Sequence, residues 1–136
     1  MSRGGTNAET LRSYLNLRFG YYEEKYVITP DPTVQLADRF DAIITTAYKQ
    51  TGLKVAILID EYDSPLQHSR KTPEHEACTE VYREVFAILK ADDEYERLVF
   101  ITGITKFTQI SLFSVLNNLT NISFLPEYVA ICGITE

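Results

Sequence analysis

Residues 53–63 read LKVAILIDEYD, an apolar run broken by one lysine that leads straight into three carboxylates, Asp60, Glu61 and Asp63. A short run so rich in branched side chains predicts a strand over Leu53 to Ile59, with the profile of one covered on both faces, as in a parallel sheet. A second run, LVFIT at 98–102, has the same profile. Between them, Ala77, Val81, Val85, Ile88 and Leu89 recur at helical spacing and predict a helix from Glu74 to Lys90 with these residues turned inward. Two buried strands joined by a helix make a right-handed crossover, so the strands run parallel and end on the same edge of the sheet. The expected class is therefore α/β, with a parallel sheet flanked by helices. Ligands of open α/β sheets bind outside the carboxyl ends of the strands, and Asp60 and Thr102 both fall there.

The preceding residues carry two helical patterns. Leu11, Tyr14, Leu15, Phe19 and Tyr22 mark an inward face between Glu9 and Tyr26, with Glu23 and Glu24 on the polar side. Pro30 and Pro32 break the pattern, because each pushes the residue before it out of helical geometry. Val34, Ala37, Phe40, Ile44, Ala47 and Tyr48 mark the second helix, with Thr33 as candidate N-cap and Gly52 where a C-cap glycine belongs. Residues 1–8 read as a flexible terminus and 9–136 as a single stretch of domain. After the second strand, SLFSVLNNL predicts a short helix, NISF a short extended piece and PEYVAICG a last helix that opens at Pro126.

Composition narrows the partners. The chain has 136 residues, is 45% hydrophobic and 24% charged, and carries a net charge of -6. That balance lacks the positive field needed for non-specific binding to nucleic acid. There is no apolar run long enough to span a bilayer and no secretory leader, so a cytoplasmic location without membrane association is expected. A reducing compartment favours Cys78 and Cys132 as small buried residues over a disulfide. His68, His75 and Cys78 match no common zinc spacing. Residues 107–126 contain no Lys, Arg, Asp or Glu, and a stretch so poor in charge calls for a cover.

The acidic tip has the makings of phosphate chemistry. A strand-end Asp60 can hold magnesium or its water shell, because magnesium prefers oxygen ligands and keeps several waters. Glu61 can orient and deprotonate an attacking water. Thr102, at the end of the neighbouring strand, can hydrogen-bond that water or sense a terminal phosphate. Lys106 is the only cation after Arg97, and can meet a phosphate or pair with Asp60 or Asp63. The plain alternative is that strands end in Asp and Thr because turns favour them. Asp63 reads as a turn cap rather than part of a second-sphere network, and Tyr62 as packing. The usual counterpart, a GxxxxGK[ST] loop whose amides and lysine supply positive charge, does not occur in the 136 residues.

KVAILIDEYDSPL, followed by DEYERLVFITGITKFTQISLFSVLNNLTNISFLPEYVAICGITE, resembles the bacterial AAA-ATPase-like family of P-loop proteins. Its pattern is a strand ending IDEYD-x-PL, a second strand ending TG before [ST]KF, an FSxLNNL stretch and a PEY-x-x-x-CG segment ending in TE. The resemblance runs from about residue 11 to the last residue. It implies a partial P-loop NTPase-like three-layer fold, with Asp60 and Glu61 as the Walker B pair. Thr102, with Thr105 and Lys106, would form the sensor turn. It further implies ATP and Mg2+ as ligands, a phosphate loop ahead of residue 1 and, in many members, a nuclease-like domain of the PD-(D/E)xK type behind residue 136. The 136 residues are then expected to be inactive alone and to complete their site with that N-terminal segment. A contrasting expectation is a non-catalytic interaction module or gene relic, docking a second copy or another protein through the apolar C-terminal region.

Overall fold

The computed structural model describes residues 7–31, 33–69, 71–103, 118–123, 125–128 and 130–131. Helix α1 (Ala8–Lys25) is started by Asn7, whose side-chain oxygen accepts from the Thr10 amide at 2.8 Å, the usual role of an N-cap asparagine. Helix α2 spans Leu36–Thr51 and ends at Gly52, which takes φ +67° and donates its N–H to the Tyr48 carbonyl at 2.8 Å. A left-handed residue is cheapest as glycine, so the chain turns here into strand β1 (Val55–Ile59). Thr33 does not cap α2: the cap position is Gln35, with no side-chain bond, and Thr33 instead bonds Asp31 through both its amide and its hydroxyl. The local turn that Asp31 offers outcompetes the helix start, and these bonds hold the Asp31 carboxyl below its usual range.

Helix α3 (Ser64–Ser69) follows the acidic tip, and α4 (Glu74–Phe86) leads through Ala87 into the short α5 (Ile88–Ala91). The single helix expected over 74–90 is thus two pieces, and Ala77 lies on its exposed side. A 3-10 turn at Asp93–Tyr95 enters strand β2 (Glu96–Ile101), and a second such turn covers Pro126–Tyr128. The expected helix at 111–119 and the last helix lie largely outside the described residues.

β1 and β2 pair in parallel, with Ile57 opposite Val99 and Ile59 opposite Ile101, and form a small two-stranded sheet flanked by helices. Ile57 joins the core of Leu11, Ile44, Val81, Val85 and Leu89, against which Val55, Ile59, Val99 and Ile101 pack. Burying a side chain of this size contributes about 1.5 to 3 kcal/mol, and the inward stripes of α1, α2 and α4 meet here. Cys78 is fully buried beside them, and burial pushes its thiol up. The other sheet face is not covered as its composition suggests: Leu58 is 71% exposed, and Ala56 and Leu98 are exposed too. Alternation about the pleat places them opposite the core-facing residues.

Two further expectations for α1 fail. Tyr14 and Tyr22 are exposed, while Glu23, read as polar-side, is only 1% exposed. Arg39 of α2 explains the second failure. Its Nε and Nη2 donate to the two Glu23 carboxylate oxygens at 2.7 and 2.6 Å, and it also bonds the Asn16 side chain. Such a fork supplies the charge-assisted bonds that a buried carboxylate needs.

Candidate functional site at the carboxyl edge of the sheet

β1 runs out at Ile59, and the backbone there keeps one more rung with the neighbouring strand. The Thr102 amide donates to the Ile59 carbonyl at 2.8 Å, and the Tyr62 amide donates back to the Thr102 carbonyl at 3.1 Å. Asp60 and Thr102 are thereby held side by side. The Thr102 hydroxyl donates to Asp60 Oδ1 and accepts from the Glu61 amide at 3.2 Å. One threonine oxygen thus ties both acidic residues across the two strand ends.

Glu61 carries the turn. Its φ is +51°, the left-handed region that a non-glycine residue enters at a cost of roughly 1 to 2 kcal/mol. The bond to Thr102 and the return bond from the Ser64 amide to the Glu61 carbonyl, 3.0 Å, hold it there. The conformation turns the chain sharply out of β1 and leaves Asp60 and Glu61 exposed while Tyr62 and Asp63 go inward. Held strain of this kind at a polar turn is a pointer to function. Tyr62 joins the core as expected. Asp63 is buried, its carbonyl accepting the Gln67 amide at 2.9 Å and its side chain accepting Gln67 Nε2 at 2.8 Å.

Gly103 is the residue that sequence reasoning underrated. A Cβ at this position would stand 2.5 Å from Tyr62 Cε1 and 2.7 Å from Asp63 Oδ1, closer than packed atoms tolerate. Only a glycine lets the end of β2 pass this near the turn that follows β1. The Thr-Gly pair after an apolar strand is the available signal, because a glycine at a strand end often marks close backbone approach. Thr105 and Lys106 lie outside the described residues. Of the expected site residues the structure therefore brings together Asp60, Glu61 and Thr102.

A second acidic group sits at the opposite end of the sheet. Asp92 closes α5 and is 6% exposed, and Glu96 opens β2. Asp92 Oδ2 and Glu96 Oε1 are buried without a hydrogen-bond partner. Burial, then Asp41 and Glu94, pushes Asp92 up to about 6; burial, then Asp92 and Asp93, pushes Glu96 up to about 7. Composition does not reveal this group, because its members come from α2, α5 and β2.

No described helix is long and apolar enough to cross a membrane. Among the described residues, no group of three His, Cys, Asp or Glu side chains is placed to hold a metal by itself.

A parallel strand pair whose carboxyl ends join an Asp-Glu turn to a threonine defines an α/β protein with an acidic strand-end site. The family model described as "Predicted AAA-ATPase" matches residues 2–113, and the chain belongs to this AAA-ATPase-like family. It is also similar to the "Uncharacterized protein in vnfD 5'region" of Azotobacter chroococcum mcd 1, with 37% identity over 99 residues. That alignment covers 72% of this chain and 19% of the relative, so the chain spans about a fifth of that protein's length. No solved structure gives a significant match.

Proposed function

We propose that these residues supply the Walker B pair and sensor threonine of a P-loop, three-layer ATPase domain. The observation that carries the reading is the Thr102 hydroxyl, which bonds Asp60 and the Glu61 amide at the carboxyl ends of two parallel strands. Membership of the AAA-ATPase-like family supports it.

The donor set suits a hydrated magnesium ion: Asp60 is an exposed carboxylate at a strand end, held by one threonine hydrogen bond. Bound with ATP, such an ion neutralises charge on the phosphates. Asp60 would hold its water shell, in an orientation set by the Thr102 hydroxyl. Glu61, exposed beside it, would accept a proton from the attacking water. Thr102 would couple the two strand ends, so that a shift at either is felt at both carboxylates. Thr105 and Lys106 extend this turn in the sequence, and Lys106 would add positive charge on the phosphate side. The remaining positive charge must come from a phosphate-binding loop outside residues 1–136, since these contain no GxxxxGK[ST].

The test is MgATP binding and hydrolysis by the 136-residue chain alone and by a longer protein that joins it to a family phosphate loop. In the longer protein, Glu61→Gln is expected to abolish turnover while keeping nucleotide binding, and Asp60→Asn to weaken magnesium-dependent binding. Turnover unchanged in both variants would sink the Walker B assignment.

A further inference from the structure

Of the three carboxylates that follow β1, the proposed chemistry uses the two that stay exposed. The third, Asp63, is only 1% exposed, and burying a carboxylate is costly unless polar neighbours meet its oxygens. Its two side-chain oxygens reach two different elements. Oδ2 accepts from Gln67 Nε2 of α3 at 2.8 Å. Oδ1 occupies the space that a side chain on Gly103 would need, 2.7 Å from the Cβ position. The ring of Tyr62 closes the same space at 2.5 Å. Asp63 is therefore a wedge between α3 and the chain that leaves β2, and the residue just ahead of that contact is Thr102.

Thr102 is held from the other side by backbone. Its amide donates to the Ile59 carbonyl at 2.8 Å and its carbonyl accepts the Tyr62 amide at 3.1 Å. These bonds set the level of Thr102 along the strands. Its hydroxyl must also reach two targets at once, Asp60 Oδ1 and the Glu61 amide, and hydrogen bonds weaken steeply as their geometry departs from the optimum. Asp63 and Tyr62 form the surface against which residue 103 rests, so they set the direction in which the chain leaves the threonine. Asp63 is itself anchored twice to Gln67, because its carbonyl also accepts the Gln67 amide at 2.9 Å.

We propose that Asp63 is a positioning residue of the site: anchored on α3 through Gln67, it packs against Gly103 and keeps the Thr102 hydroxyl in register with Asp60 and Glu61. It acts through Thr102 and not on the nucleotide. Its part in turnover rests on the ATPase reading above, whereas its part in holding the turn does not.

Two measurements test this. The first is amide hydrogen exchange in the 136-residue chain with Asp63→Asn, which keeps the shape but replaces one acceptor oxygen with a donor. Protection of the Tyr62 and Thr102 amides should fall at least about tenfold, with α1 and α2 unchanged. Adding Gln67→Glu restores the bond with donor and acceptor exchanged, and should recover most of the lost protection. Gln67→Leu, which keeps the carboxylate and removes its anchor, should give the same local loss even if Asp63→Asn fails to fold. The second measurement is turnover of the longer protein joined to a family phosphate loop. There Asp63→Asn should lower kcat by about 10- to 100-fold with KM for MgATP nearly unchanged, and the double variant should restore it. Unchanged protection of both amides in Asp63→Asn and Gln67→Leu would overturn the proposal. So would a loss shared equally by α1 and α2, which would make Asp63 part of the general core, or an unchanged kcat where Glu61→Gln abolishes turnover. If Glu61→Gln leaves turnover intact, the Walker B reading fails, and the exchange measurement still decides whether Asp63 holds the turn.

Discussion

Glu23 and Asp92 are both buried acids on the helical side of the molecule, 1% and 6% exposed, yet their surroundings are opposite. Glu23 faces the Arg39 guanidinium, which is itself pushed up chiefly by that hydrogen bond. Asp92 faces another acid, Asp41, and is pushed up instead. The difference teaches that burial sets the size of a carboxylate's effect and the partner sets its sign. Asp60, by contrast, is exposed and held by a threonine.

The largest effect is expected where the favourable case is turned into the unfavourable one. Arg39→Met leaves Glu23 buried without a cation and should cost about 3 to 5 kcal/mol in urea unfolding at pH 7.5. Part of that loss should return at pH 5, as Glu23 then behaves like Asp92. Adding Glu23→Gln to Arg39→Met should recover most of the remainder; no recovery would mean that Arg39 matters for packing rather than charge.

A smaller and opposite change is expected at the other corner. Asp41→Asn removes the like charge facing Asp92 and should stabilise the chain by about 1 kcal/mol at pH 8, with little change at pH 5. Equal effects at both values would show that the two corners do not differ as described.

Around Asp60 the effects should be steric or hydrogen-bonded in origin. Gly103→Ala drives a Cβ into Tyr62 and Asp63 and should cost about 1 to 3 kcal/mol. Thr102→Val removes the hydroxyl bridge and should cost about 1 kcal/mol. Asp60→Asn, at an exposed position, should change thermal stability by less than about 0.5 kcal/mol. A large loss from Asp60→Asn would make this residue structural and weaken its place in a ligand site.

The elements were legible in the sequence where their causes are local. The 3.6 period of Leu11, Leu15 and Phe19 marked α1, Gly52 marked the end of α2, and the branched apolar runs marked both strands. Their parallel pairing followed from the intervening helix, and with it the meeting of Asp60 and Thr102 on one edge. Less legible were Asn7 as a cap, because an isolated asparagine near a polar terminus has many readings, and the break at Ala87, where periodicity barely changes. The exposed face of the sheet was misread for a different reason: composition reports what a strand tolerates, and Leu58 and Leu98 are exposed in the tertiary arrangement.

The acidic tip shows the division most plainly. The sequence alone determined that three carboxylates follow one apolar strand and that a threonine follows another. The tertiary structure decided that Asp60 and Thr102, 42 residues apart, share a hydrogen bond, and that Asp63 turns inward while Asp60 and Glu61 stay exposed. It likewise decided that Glu23 meets Arg39, 16 residues on, and that Asp92 lies where burial and the charges of Asp41 and Glu94 push it up. Hydrophobic periodicity is a property of neighbouring residues and can be read along the chain. The charge state of a buried acid depends on which distant side chain reaches it, and only the packed structure supplies that.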